Sequence, residues 1–144
     1  MTRTSETTHV KGQVQYLNPN GLPKTPAFSN VVSVTGPART IYIGGQDAVD
    51  PSGAIVGKGD LKAQTEQILK NVQVALAAVG AQLEHIVKWN IYVVQGQSLQ
   101  VGFEAFQRVW GNRPNPPVIS VMFVAGLAHP DFLAEMDAIA VVPE

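Results

Sequence analysis

Apolar residues in this chain follow two kinds of spacing. Between residues 60 and 80 they recur every three or four positions. Leu61, Ile68, Val72, Ala75, Leu76 and Val79 then share one side of a 3.6-residue turn, which predicts a helix. Asp60 suits the N-cap, and Gly80 sits where a left-handed residue closes a helix. Glu66 and Lys70 make a favourable pair on another side. A second stripe, Leu99, Phe103, Phe106, Val109 and Trp110, opens at Ser98 and stops near Gly111, predicting a second helix. Elsewhere the apolar residues come in short β-rich runs. Over 86–94 they alternate, with Val87, Trp89, Ile91 and Val93 on one face and Lys88, Asn90 and Tyr92 on the other. The run 118–125 is continuous and meets a turn at 126–130. The next strand-like run carries two carboxylates, Glu135 and Asp137.

Upstream, 14–17, 28–34 and 40–43 read as strands. A loop rich in Asn, Gly and Pro follows the first, and Gly36-Pro37 separates the second from the third. Gly44-Gly45 is expected to end the third strand, and 55–56 to form a short return after the turn Asp50-Pro51-Ser52-Gly53. The order β-β-β, helix, β, helix, β-β contains two strand-helix-strand crossovers. Right-handed crossovers place both helices on one face of one sheet, an α+β architecture. This chain offers no helix for the other face, although the strands read as nearly continuously apolar. Other copies of the same chain are the expected cover. Residues 1–12 read as a polar lead-in and 13–144 as a single domain.

The composition narrows the chemistry. The chain has 144 residues, 45% of them apolar and 15% charged, with a net charge of −1. Such a balance gives no general attraction to nucleic acid phosphates. The absence of cysteine excludes disulfides, thiolate metal sites and thiol nucleophiles. The N-terminal MTRTSETTHVKGQ has no apolar stretch of signal-peptide length, and no run approaches the roughly 20 apolar residues of a membrane span. A cytoplasmic, soluble protein is expected. His9 and His85 show no ligand spacing with a carboxylate, so no metal and no cofactor is expected. Gly57-x-Gly59 is too short a signal for a phosphate loop.

A carboxylate on a largely buried strand is costly unless it is paired or acts on something, which singles out the run that carries Glu135 and Asp137. Its surroundings carry a family resemblance. Pro117-Val118-Ile119-Ser120, Leu127 and Glu135-Met136-Asp137-Ala138 resemble the C-terminal signature of the RidA (YjgF) family. Pro26-Ala27-Phe28-Ser29 resembles its Pro-Tyr-Ser segment, and Ile43-Gly44-Gly45-Gln46 its Ser-Gly-Gln turn. Gly59-Asp60 with Gln64-Thr65 is similar to the start of its long helix, and Val87-Lys88-Trp89-Asn90 to the strand that follows. The order and spacing of these segments cover almost all of residues 13–142. The resemblance implies a chorismate-mutase-like fold, a homotrimer, and clefts between subunits in which reactive imines and enamines are hydrolysed.

In that family an arginine after Pro-x holds the substrate carboxylate, and the glutamate matching Glu135 orients water. Here the arginine position is Ile119, Phe28 replaces the tyrosine, and Gly44 replaces the serine of the turn. Each change makes the cleft more apolar. The expected site residues are Glu135 as the catalytic group and Phe28, Gly44, Gly45, Asn90, Ile119 and Ser120 as ligand-binding positions. Each also has a structural reading: an interface carboxylate for Glu135, a wall or core residue for Phe28, a plain turn for the glycines, and strand-face hydrogen bonding for Asn90 and Ser120. Arg113 is a candidate replacement anchor, and His129 a candidate acid or base in the last turn. Three functions follow: a hydrolase of the imine/enamine deaminase type acting on something other than 2-imino acids, a non-catalytic trimer binding a small metabolite, or an endoribonuclease. The near-neutral charge speaks against the last.

Overall fold

The computed structural model describes residues 10–144, so His9 and most of the polar lead-in lie outside the described residues. Six strands and two helices follow one another as β1 (Gln13–Leu17), β2 (Val31–Thr35), β3 (Ala38–Gln46), α1 (Leu61–Ala77), β4 (Ile86–Val94), α2 (Leu99–Trp110), β5 (Val118–Val124) and β6 (Ala134–Pro143). A single 3-10 turn, Leu83–His85, leads into β4. The main sheet is mixed and four-stranded, in the order β3-β6-β4-β5. β6 runs antiparallel to both β3 and β4, and β4 runs parallel to β5. The first two strands pair only with each other, as an antiparallel ladder. That hairpin is tied to the end of β6, where the Gly12 N–H donates to the Glu144 carbonyl at 2.8 Å and the Glu144 N–H to the Pro37 carbonyl at 3.0 Å.

Both helices lie on one face of this sheet, as the stripe pattern predicts. α1 begins where the cap chemistry puts it: Asp60 has extended backbone, and its carboxylate accepts from the Ala63 N–H at 3.1 Å. Ile68, Leu69, Val72 and Leu76 of α1 are fully buried against Ile43, Ile86, Trp89 and Val93 of the strands. β6 contributes Ala134, Met136, Ala138 and Ala140 to the same side. The three alanines there keep the central strand thin beneath the helices. From α2, Phe106 meets Trp89 edge-on at 4.9 Å and stacks on Trp110 at 6.3 Å.

Three local expectations are corrected. Residues 28–30 are not part of β2, because Ser29 is committed to the start of β5: its N–H donates to the Pro117 carbonyl at 3.0 Å and its hydroxyl to the Pro116 carbonyl at 2.6 Å. Gly44-Gly45 does not end β3 but lies within it, at a register shift between Ile43 and Gln46. The face opposite the helices is not continuously apolar. Lys88, Asn90 and Tyr92 of β4 occupy it, with Asn90 opposite Asp137 and Ser120, and Tyr92 opposite Glu135. The strands looked apolar because their helix-facing positions dominate the composition.

Candidate functional site

The expected site residues fall into two groups on opposite sides of the main sheet. Ile119 pairs with Trp89 and therefore faces the helices, whereas Glu135 pairs with Tyr92 and faces away. Ser120, next to Ile119 on β5, shares the Glu135 side.

On the helix side is a cavity of about 190 Å³. Phe28 reaches it from the loop that Ser29 anchors to β5. Leu61 and Thr65 of α1, Gly102 and Phe103 of α2, and Ile119 and Val121 of β5 form the rest of its principal wall. Thr65 is the one polar side chain among these, and its hydroxyl donates back to the Leu61 carbonyl at 2.7 Å. The sequence reading named Phe28 and Ile119 as cleft positions beside Glu135, whereas here they line a cavity on the other side of the sheet. It missed Gly102, Phe103 and Val121. A glycine in the middle of an amphipathic stripe was the available signal for the first.

On the open side, the Gly44-Gly45 bulge has a specific cause. A Cβ at Gly45 would lie 2.8 Å from Oε2 of Glu135, so the missing side chain lets that carboxyl rest against the β3 backbone. Asp47 follows directly, held from behind by α1: the Asn71 amide donates to the carbonyls of Asp47 and Val49 at 3.0 and 2.9 Å. Oδ1 of Asp47 is enclosed and meets no donor among the described residues. Its neighbour is the Glu135 carboxyl. Two carboxylates have no proton to bond with, so the pair is satisfied only when one carries it. Burial first, then the hydrogen bond and charge of Glu135, push the Asp47 carboxyl up to about 7. The sequence reading missed Asp47 altogether.

Asn90 lies on the same face and is engaged. Its amide donates to Asp137 Oδ1 at 2.8 Å, and the Tyr92 hydroxyl donates to Asp137 Oδ2 at 2.9 Å. That bond to a carboxylate raises the Tyr92 phenol above its ordinary value. The two other candidates lie apart from both groups. The Arg113 guanidinium caps α2, donating to the carbonyls of Val109 and Trp110 at 2.8 and 2.7 Å, and lies 3.5 Å from Glu84. His129 accepts from the Asp131 N–H at 3.0 Å in the β5–β6 turn and packs on Phe132.

Comparison with known proteins agrees with this architecture. Residues 22–142 match the family model described as Endoribonuclease L-PSP. A RutC family protein of Pyrococcus abyssi is 31% identical over 100 residues, covering 69% of this chain and 76% of the relative. The human 2-iminobutanoate/2-iminopropanoate deaminase is 28% identical over 103 residues, covering 72% of this chain and 73% of its own. Among solved structures, a Rid family protein of Yersinia pestis superposes with a TM-score of 0.79 at 32% identity, over 90% of this chain and 98% of that one. Among the described residues no helix is long and apolar enough to cross a membrane. The mixed sheet, the two helices on one face and the matched span lead to one conclusion: the chain belongs to the endoribonuclease L-PSP family, which is that of the RidA and RutC proteins.

Proposed function

We propose that this chain is a hydrolase of the imine/enamine deaminase type, acting on a small neutral substrate in clefts between the subunits of a cytoplasmic trimer. The observation that carries this reading is the Glu135 carboxyl seated against Gly45 beside the Asp47 carboxyl, which burial and Glu135 push up to about 7. Imine hydrolysis needs both forms of such a pair. The carboxylate accepts a proton from the attacking water as the new C–O bond forms. The protonated partner supplies a proton to the imine nitrogen as the C=N π electrons move onto it. Collapse of the carbinolamine then releases ammonia and leaves a carbonyl. One cleft that holds both Glu135 and the Ile119 wall needs two copies, since the residues lie on opposite faces of one sheet. Exposed Val121, Met122 and Phe123 on the edge strand β5 supply apolar surface for such contacts.

The human relative's name specifies 2-imino acids. Their carboxylate has no partner at Ile119, and loss of a bidentate, charge-assisted contact is severe. The test generates imines with an oxidase and follows their decay by trapping with semicarbazide. We expect no acceleration for 2-iminopropanoate and clear acceleration for a neutral aldimine such as that of phenylacetaldehyde. Glu135→Gln should lower that activity by about 10²- to 10⁴-fold, the usual worth of a positioned acid-base group. Acceleration of 2-iminopropanoate alone overturns the substrate assignment. Sedimentation should show one species near three times 15.4 kDa, and a stable monomer would remove the cleft.

The second reading is a non-catalytic trimer that binds a small molecule. The cavity favours it, and it stands if neither imine decays faster. The third, endoribonuclease, rests on the family's name, and a net charge of −1 offers phosphate no field.

A further inference from the structure

We propose that the cavity between α2 and the β4–β5 edge binds an uncharged apolar group the size of a substituted benzene or indole ring, and that Gly102 sets its size. This deepens the hydrolase reading by naming what its substrate presents, and it rests on that reading for the cleft's role in turnover.

Three observations lead to it. The first is chemical. Phe28, Ile91, Ile119, Val121 and Met136 offer no charge and no hydrogen-bond donor, and the Thr65 hydroxyl is already bonded to Leu61. A carboxylate entering this space would shed its water with nothing in return. The second is size. The volume, about 190 Å³, exceeds the roughly 150 Å³ of an engineered apolar cavity that stays dry and takes up benzene.

The third is Gly102. It sits inside α2, where glycine weakens a helix relative to alanine. Nothing in the backbone or the packing calls for it. Gly102 shows no positive φ. An added Cβ would meet only Leu61 Cδ2 at 3.7 Å and Thr65 Oγ1 at 3.9 Å, ordinary contact distances. What a larger side chain would do is fill the cavity. The glycine keeps that volume open at the expense of the helix. Leu99 and Phe103, 43% and 40% exposed, stand at the mouth with Phe28, so apolar side chains also line the way in. The space is recessed between two helices, the sheet and the 27–28 loop. That shape suits a small ligand better than the broad face of a second copy.

The experiment titrates the full chain with toluene and indole, and with 2-oxobutanoate as a small carboxylate. Methyl NMR signals of Ile119 and Val121 report occupancy. Toluene and indole should shift them at sub-millimolar concentration, while 2-oxobutanoate leaves them in place. Gly102→Leu should weaken toluene binding by at least about tenfold with the trimer and fold retained. Gly102→Ala should raise Tm and weaken toluene binding by less than Gly102→Leu does, a graded loss that guards against a leucine variant that fails to fold. Unmoved methyl signals in the unmodified chain overturn the proposal. So does a lower Tm for Gly102→Ala, which would give the glycine a structural reason. Signals that shift only after dilution dissociates the assembly would assign the cavity to a second copy, and also overturn it. The readout is binding, not turnover. Toluene uptake without imine hydrolysis would leave this site standing and remove the hydrolase, and hydrolysis without uptake would do the reverse.

Discussion

Asp47 is the residue whose surroundings depart furthest from what its sequence neighbours announce. Its carboxyl, pushed up to about 7 by burial and by Glu135, binds a proton more tightly in the folded chain than in the unfolded one. Its stabilising contribution is therefore complete below the ordinary carboxyl range near 4. It is lost as pH rises through 7, so stability should fall across that window and level off above it. Asp47 is partly open to solvent, which reduces the effect well below the full linkage value, to about 1 kcal/mol. Asp47→Asn should abolish this slope and leave the variant the more stable form at about pH 8. Urea unfolding of both proteins at about pH 5 and pH 8 decides it. Parallel pH dependences would mean that the two carboxyls do not share a proton. The sequence hid this residue because its burial comes from Glu135 on β6 and Asn71 on α1, both distant along the chain.

Among the elements, α1 does the most positioning. Asn71 holds the Asp47 segment. Gln64, fully buried, donates to the carbonyls of Gly57 and Asp131 and accepts from the Leu133 N–H at 2.8 Å. One side chain thus fixes the loop before the helix and the entry to β6. The start of α1 was legible at Asp60, since an N-cap is a local device. Replacing that cap, Asp60→Ala, should cost about 1 kcal/mol, read as a lower urea midpoint at unchanged m-value. An unchanged midpoint would show that neighbouring turns already satisfy the first N–H groups. Gly44-Gly45 was misread for the opposite reason. Local rules see two glycines and infer a turn, whereas the need for glycine comes from a carboxyl on another strand.

For the whole molecule, the architecture was legible because two clean helical stripes and an alternating β4 leave few ways to pack. Strand pairing was not. Ile119 and Glu135 lie on different strands, and only the register through β4 shows that they face opposite ways. A motif read along the chain joined them into one site. The family resemblance lists these residues together, and the pairing shows that one protomer carries them on two faces of its sheet. The polar centre of the open face also changes what the proposed trimer would bury. A subunit docked on Lys88, Asn90, Tyr92 and Asp137 in that trimer would have to offer hydrogen bonds besides apolar area.

The central place of β6 has a consequence for how the protein comes into being. β3 reaches the β4–β5 pair only through β6, the sixth strand in chain order, which slots between β3 and β4. Until Ala134–Pro143 leaves the ribosome, β3 has no neighbour in the main sheet, and the nascent chain presents unpaired edges. Closure of the main sheet should therefore be an all-or-none event that waits for β6. A chain ending at Leu133 should show no cooperative unfolding transition, and added peptide 134–144 should restore one. A sharp transition in the truncated chain would show that the hairpin, α1, α2 and the β4–β5 pair already make a folding unit without it.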